Sequence, residues 1–598
     1  MKRTSALLVF LLGLVAAPAT QQPPELLLTN GRVYTLDSAR PWAEAIAIRG
    51  DRIVAVGTAD QARAAVGSAA RVVNLNGAFT LPGFNDAHVH VESTGALLLG
   101  VNLLDVHEPA KFTERIADAT RRMPKGSWIT RGEWGAYEQW NAGSAGAAAG
   151  GAAATRFTPD RRLIDAVTPD HPVLVNRFDG SESLANTVAL SLAGITESTA
   201  VPAGGEIRRD ATGRLTGIVT GTAAAMVRKV IPPVPFEQRL AQVRMVLQEA
   251  REGGVTTIQD LTSAPQLQAY QELRRRGELT TRIMLRPTLD QVTHTAALGV
   301  SRGFGDDWLK YIGYKAWVDG IMGSSGAMFF TPYDHQPANK GLLRPIMRPE
   351  GADGAAMELT EGQHYTDFPP GNLETLLEQA IPTGLTPHIH AIGDKGNRII
   401  LDIYEKLLTK HHLVDRDHRW RVIHAQVVHP DDFARFGKLR LVAEINPYHV
   451  SDDMRWMEER IGRQRSQGAY AFRRLKDAGA VLIFGSDSPG TNAARYFLNP
   501  VYGLFAAVSR QTLTGEPKAG WFPEQRLTIE EAIEAYTKAP AWASFEEDIK
   551  GTLTVGKLAD IAVFDTDLIA VGKTDPSRLL KARVTMTVVG GKVVYEAR

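Results

Sequence analysis

Leu81-Pro82-Gly83-Phe84-Asn85-Asp86-Ala87-His88-Val89-His90 ends a largely apolar run in two histidines one residue apart. In an extended strand side chains repeat with period two, so both imidazoles point to one face and can share one cation. Such a pair also arises by chance in structural strands, so its meaning depends on the rest of the chain. Short apolar stretches recur between helix-length segments at residues 255–259, 281–285, 311–318, 386–390, 421–424, 441–445 and 481–484. With the strand leading into His88, these make eight. Eight strands alternating with helices predict an α/β fold, a TIM-like (β/α)8 barrel whose chemistry collects at the C-terminal ends of the strands. Lys315 lies in the fourth strand, His390 ends the fifth, His424 ends the sixth and Asp487 follows the eighth, so with His88 and His90 six candidates fall near one rim. His388 points to the same face as His390 and competes for the fifth position.

Outward from this core, the interval from 91 to about 254 is too long for one loop. It is expected to form an insertion subdomain with strands at 128–130 and 172–176. Within it, 142–154 is almost wholly Gly, Ala and Ser, a flexible-loop composition. Trp128, Trp134 and Trp140 are either its core or walls of a pocket. A second insertion, at 347–370, separates the fourth and fifth strands. At the N-terminal end, apolar alternation in 26–33, 43–48 and 53–56, with Arg49-Gly50-Asp51-Arg52 between the last two, reads as strands and a hairpin. Residues 560–565 and 584–595, the latter broken by Gly590-Gly591, repeat that pattern. Neither end is long enough for its own core, so 20–80 and 550–598 are expected to form one composite β-sandwich around a barrel domain at 81–549. Before them, Lys2 and Arg3 precede the apolar run 6–15, and Ala17-Pro18-Ala19 offers a small-x-small cleavage signal. Residues 1–19 therefore read as a secretory signal peptide, with a periplasmic or secreted product and no stable membrane insertion after cleavage.

The 598 residues are 44% hydrophobic and 22% charged, which excludes disorder as the dominant state. Lys plus Arg total 67 against 66 for Asp plus Glu, so no net field favours nucleic acid. The expected partner is a small-molecule substrate, with a homodimer left open. There is no Cys, which rules out thiolate metal sites, Cys nucleophiles and disulfides, and leaves His, carboxylates or a modified side chain to hold any metal. Ser324-Ser325 and Ser486 lie near the candidate positions, but neither sits in a G-x-S-x-G elbow.

The residues 81–90 resemble the first strand of the metal-dependent amidohydrolase superfamily. His390-Ala391-Ile392-Gly393-Asp394, the 421–426 stretch with His424, Asn446-Pro447-Tyr448-His449 and Gly485-Ser486-Asp487-Ser488-Pro489 are similar to its amidohydrolase 3 branch, which includes N-substituted formamide deformylases. Thr29-Asn30-Gly31-Arg32-Val33 and Gly556-Lys557-Leu558-Ala559-Asp560 resemble the family's split β-sandwich. This resemblance implies a ligand set of His88, His90, Lys315, His390, His424 and Asp487. In it His390 is chosen over His388 by the Ala-Ile-Gly-Asp match. A lysine ammonium cannot ligate a cation, but a Lys carboxylated by carbon dioxide presents two anionic oxygens able to bridge two metals. The alternative for Lys315 is an ion pair with Asp319. Asp394 has a loop cap or a hydrogen bond behind the site as its alternative to a catalytic role.

One or two zinc ions are the default for neutral imidazoles and carboxylates, because zinc lowers the pKa of bound water to about 7. Asp487 would then shuttle the proton from that water to a departing nitrogen, and His449 would hydrogen-bond the substrate carbonyl or else serve as a packing residue. The expected reaction is hydrolysis of a non-peptide amide-type C–N bond. An esterase or lactonase on the same site is the enzymatic alternative, and a noncatalytic secreted binding protein the other. Two departures from the branch bear on substrate choice. Asp179-Gly180-Ser181 stands where Asp-Gly-His is usual, and Gly221 where a Glu is common.

Overall fold

The computed structural model describes residues 24–135, 157–178, 181–344, 372–491 and 494–597. The 1–19 segment, the Gly/Ala/Ser tract, Trp140, Asp179-Gly180 and the 347–370 insertion lie outside them. The centre is built from β1 (Phe84–Val89), β2 (Val255–Leu261), β3 (Arg282–Arg286), β4 (Leu309–Tyr311), β5 (Gly313–Trp317), β6 (Thr386–Ala391), β7 (Arg421–His424), β8 (Val442–Ile445) and β9 (Val481–Phe484). They form two parallel sheets, ordered β4-β3-β2-β1 and β5-β6-β7-β8-β9. Every residue of β1, β3, β6, β7 and β8 is buried, as expected of parallel strands covered on both faces. Helix Asp394–Lys410 supplies such cover by burying Ile399, Ile400, Ile403, Leu407 and Leu408 in the same core.

The expected fourth strand over 311–318 is in fact two strands. Its first part, β4, belongs to one sheet, and β5 opens the other after Ile312. The chain changes partner there: the Ile312 amide still donates to the Leu285 carbonyl at 3.1 Å, and the Lys315 amide donates to that of Pro287 at 2.9 Å. Single parallel bridges join the two sheets at Thr288–Lys315 and at Val89–Ser488.

The insertion carries its own five-stranded sheet, with strands Ile129–Trp134, Val173–Arg177, Ser183–Ala185, Leu215–Thr220 and Gly205–Arg209. Helix Phe236–Glu252 lies between the two cores: it sends Leu240, Val243, Val246, Leu247 and Ala250 into the main core and packs Ala241 and Met245 against the insertion's cluster. Trp134 is fully buried in the insertion's own core and Trp128 packs at the edge of a neighbouring cluster, so both are structural. Gly221 is committed to glycine here: its φ is +49°, and a Cβ would lie 2.0 Å from the Gly204 carbonyl oxygen.

The two chain ends meet in a six-stranded sheet. In it Phe79–Pro82 pairs antiparallel with Ile561–Phe564, with Ile561 opposite Pro82 and Phe564 opposite Phe79. A four-stranded sheet from 25–74 shares its core with that sheet through Leu28, Ile46 and Ile48 on one side and Ile561, Val563 and Val588 on the other. Asp560 locks this assembly to the centre. Its carboxylate accepts from Arg282 of β3 at 2.7 and 3.0 Å and from the Gly590 amide at 2.9 Å. Both side chains are almost wholly buried. Removing one partner leaves the other as an uncompensated charge, so Asp560→Ala should cost about 3–5 kcal/mol, whereas the double replacement Arg282→Met with Asp560→Leu should cost much less. Thermal unfolding of the two variants checks this, and equal losses would contradict it.

Candidate metal centre

The six candidate residues come together at the C-terminal ends of the central strands. His88 and His90 close β1, Lys315 lies in β5, His390 in β6, His424 ends β7, and Asp487 follows β9. The backbone bends sharply where function is expected. His424 and Asp487 have φ of +69° and +57°, in the left-handed region that non-glycine residues seldom occupy and that clusters at functional sites. Gly485 allows the last strand to close on the first, because a Cβ there would lie 2.4 Å from the His88 amide nitrogen. The Asp487 amide in turn donates to the His88 carbonyl at 2.7 Å. Asp86, two residues before His88, braces the same junction by accepting from the His88 and Ser486 amides at 3.1 and 2.8 Å. Burial pushes its carboxyl up to about 7.

The ring nitrogens are aimed by their outer partners. His88 Nδ1 donates to Glu444 Oε1 at 2.7 Å, which leaves Nε2 to face the centre, 3.3 Å from His90 Nε2 and 3.4 Å from Asp487 Oδ1. His90 Nε2 is 3.0 Å from the same carboxylate oxygen. His424 Nδ1 donates to the Asn446 amide oxygen at 2.7 Å, and Asn446 Nδ2 donates to the Gly485 carbonyl at 3.2 Å, so His424 also presents Nε2. In His390 the order reverses: Nε2 lies 3.4 Å from the Gly320 carbonyl, leaving Nδ1 to the site. The ring centres of His390 and His424 are 4.5 Å apart, and those of His88 and His424 are 5.3 Å apart. Burial, followed by the charge of Lys315 or of a neighbouring imidazole, holds His88, His390 and His424 well below the usual histidine range. They are therefore neutral near pH 7, the form that ligates a metal.

Lys315 is the anomaly of the site. It is 1% exposed, and its Nζ has no hydrogen-bond partner among the described residues. Burial and the nearby Arg286 push its ammonium down to about 7. Asp319 does not pair with it. That carboxylate accepts instead from the Ile392, Gly393 and Met328 amides at 3.0, 2.9 and 2.8 Å and braces the loops around β6.

His88, His90 and Asp487 offer ligand atoms within 4.8 Å of one another, and so do His424, His449 and Asp487. The second group brings in His449 beside the expected ligands; its Nε2 is 3.5 Å from Asp487 Oδ2 without hydrogen-bond geometry. His90, Lys315, His390, His424, His449 and Asp487 line a cavity of about 670 Å³, which Trp317, Met322, Trp456 and Tyr496 wall on its apolar side. His388 faces a deeper layer, where its Nε2 is 2.7 Å from the Thr386 hydroxyl, so only His390 reaches the cavity. Asp394 accepts the Phe330 amide at 3.0 Å and does not line the cavity. Ser325 does line it, with its Oγ 3.1 Å from His335 Nε2.

Beneath the centre lies a charged layer that the sequence motifs do not announce. Glu444 accepts from His88 and from Arg286 (2.7 Å each) on Oε1 and from Arg421 (3.1 Å) on Oε2. Burial raises its pKa, but Arg286 and Arg421 outweigh burial and hold the carboxyl below its ordinary range. The one signal for it in the sequence is a lone acid inside the apolar stretch Leu441-Val442-Ala443-Glu444-Ile445. Asn446 opens the Asn446-Pro447-Tyr448-His449 motif, but its role as the support for His424 depends on distance in space.

The donor set fits a divalent cation, since three neutral imidazoles and an orphaned buried amine converge with a carboxylate. The chain is 32% identical over 584 residues to Protein LONG AFTER FAR-RED 3 of Arabidopsis thaliana, covering 96% of this chain and 91% of that protein. It is 25% identical over 593 residues to the N-substituted formamide deformylase of Arthrobacter pascens, covering 96% and 99%. In fold it is similar to an uncharacterized metal-dependent hydrolase of Pyrococcus horikoshii OT3, with a TM-score of 0.69 at 24% identity, over 92% of this chain and 99% of that one. Residues 71–595 match the model described as Amidohydrolase family, and with that extent of match the chain belongs to that family.

Proposed function

We propose that this protein hydrolyses a non-peptide amide-type C–N bond of a small molecule, and that its two central sheets act as one (β/α)8 barrel with the site at its mouth. The parallel bridges at Thr288–Lys315 and Val89–Ser488 support the barrel. The cavity volume lies within the range of small-molecule sites, about 300–1,000 Å³. The observation that carries the reading is Lys315, a buried amine without a hydrogen-bond partner among the described residues and set amid imidazoles. With its pKa brought down to about 7, a large share of Lys315 is the neutral amine that adds carbon dioxide to give a carbamate and a proton.

His88, His90, His390, His424, Asp487 and a carboxylated Lys315 would hold one or two divalent ions, zinc by the donor types. Such an ion supplies Lewis acidity toward a carbonyl and acidifies water. The chain does the rest. Glu444 and Asn446 keep His88 and His424 in the Nδ1–H tautomer. Asp487, 3.0 Å from His90 and 3.5 Å from His449, takes a proton from the attacking water and returns it to the departing nitrogen. Burial pushes His449 down to about 4, so at neutral pH it is an uncharged imidazole whose Nε2 can donate to the substrate carbonyl oxygen. The relative named N-substituted formamide deformylase supports an amide-type bond.

Elemental analysis of the purified protein should find one to two divalent ions per chain, and strong chelation should abolish hydrolysis of a panel of N-acyl amines assayed beside matched esters. A fully active metal-free protein would overturn the proposal. Lys315→Ala should lower both metal content and rate, with partial recovery in small added carboxylates; unchanged content and rate would make the lysine structural. Asp487→Asn keeps the shape but cannot take a proton, so kcat should fall by about 10² to 10⁴ while the metal largely stays. Collapse of metal content in this variant would make Asp487 chiefly a ligand.

A further inference from the structure

We propose that Asp453 is a substrate-recognition residue whose carboxylate binds an N–H group carried by the substrate about one helical turn from the bond being cleaved. The inference deepens the hydrolase reading above and rests on it. Helix Tyr448–Asp453 follows β8 directly and puts His449 and Asp453 four residues apart, hence on one face and about 6 Å apart along the axis. Both line the cavity. His449 approaches Asp487 at 3.5 Å and marks the reacting end, so Asp453 marks a second polar point at a set distance from it.

The carboxylate is held as a receptor would be. Asp453 is 5% exposed, and its Oδ2 takes both Gln426 Nε2 at 3.0 Å and the Tyr470 hydroxyl at 2.5 Å. Among the described residues no donor bonds Oδ1, and no cationic side chain pairs with the group. Arg460 lines the same cavity, but its NH1 donates to the Met322 and Gly323 carbonyls at 2.6 and 2.9 Å and its guanidinium lies 4.2 Å over the Trp456 ring. The adjacent Asp452 differs, because Arg455 pairs with it. Burial pushes its carboxyl up to about 7, opposed by Tyr470 and by the charge of Arg460; in the ionised form, fixed by two donors, the group accepts but cannot donate. A substrate lacking N–H at that point leaves it unsatisfied, and a site built around a hydrogen bond discriminates strongly against such analogues. The substrate class is thus an amide whose acyl or amine portion bears a second nitrogen with hydrogen, either a carboxamide or an ammonium group.

The test compares a short N-acyl diamine and an N-acyl amino-carboxamide, each beside its fully N-methylated counterpart, on the metal-loaded enzyme. Both kcat/KM and calorimetric affinity are measured. The N–H compounds should be favoured by about 10- to 100-fold, and the pair that shows the larger ratio identifies ammonium or carboxamide as the natural group. Asp453→Asn still accepts from Tyr470 and Gln426 but turns a donor toward the cavity, so the preference should vanish or invert. The wild-type ratios stand even if that variant fails to fold. Hydrolysis without N–H preference in either measurement overturns the role of Asp453. N–H-dependent affinity without hydrolysis keeps that role and overturns the activity instead.

Discussion

Glu444 is the constraint on which the site depends. Completely buried, it accepts from His88, Arg286 and Arg421, three donors brought by three different strands. A carboxylate in that position is very costly unless every oxygen is occupied, and the two arginines are equally costly without it. The strands must therefore assemble in one register for any of these charges to be tolerated. The same register turns His88 Nε2 toward His90 and Asp487. Stability and the aim of the ligand are one requirement here.

The layer has a second consequence. Arg286 and Arg421 bring more positive charge than Glu444 cancels, and Lys315 sits just above them. Burial and the charge of Arg286 together disfavour its ammonium, which leaves an interior amine with no hydrogen-bond partner among the described residues. The charge that would make Lys315 an ordinary cation is thus opposed from below, while the imidazoles around it supply no acceptor that claims it. Conversion to an anion would suit this environment far better than protonation. The bent backbone at His424 and Asp487 is tolerated because amide contacts, such as that from Asp487 to the His88 carbonyl, determine it from outside.

The terminal strands take part in this assembly through one buried pair. Arg282 and Asp560 connect β3 to the sheet in which the first and last strands of the chain lie side by side. The chain ends therefore bear on the centre that the middle of the chain carries, and the insertion has a cluster of its own that meets the main core along helix Phe236–Glu252.

The sequence by itself placed six candidates near one rim and predicted most of the strands. His88, His90, Lys315, His390, His424 and Asp487 were legible as candidates because period-two spacing and strand-end position are local properties, and turn glycines such as Gly590-Gly591 announce hairpins by their own chemistry; their reading as one ligand set came from the family resemblance. The two-sided packing of helix Phe236–Glu252 was not legible, because a helix is amphipathic wherever it packs and only contact shows that it touches both the main core and the insertion's cluster. Nor was the break at Ile312, since a continuous apolar run does not reveal where neighbouring strands change. His388 and His390 have the same spacing and the same face, so period does not separate them; the Ala-Ile-Gly-Asp resemblance favoured His390, and depth in the fold gives the physical reason, with His388 against Thr386 and His390 in the cavity. Glu444, Asn446 and Asp453 act through partners tens to hundreds of residues away or through a cavity wall. Tertiary structure alone decides such roles, because burial and hydrogen bonding depend on what surrounds a residue in space and not on what precedes it in the chain.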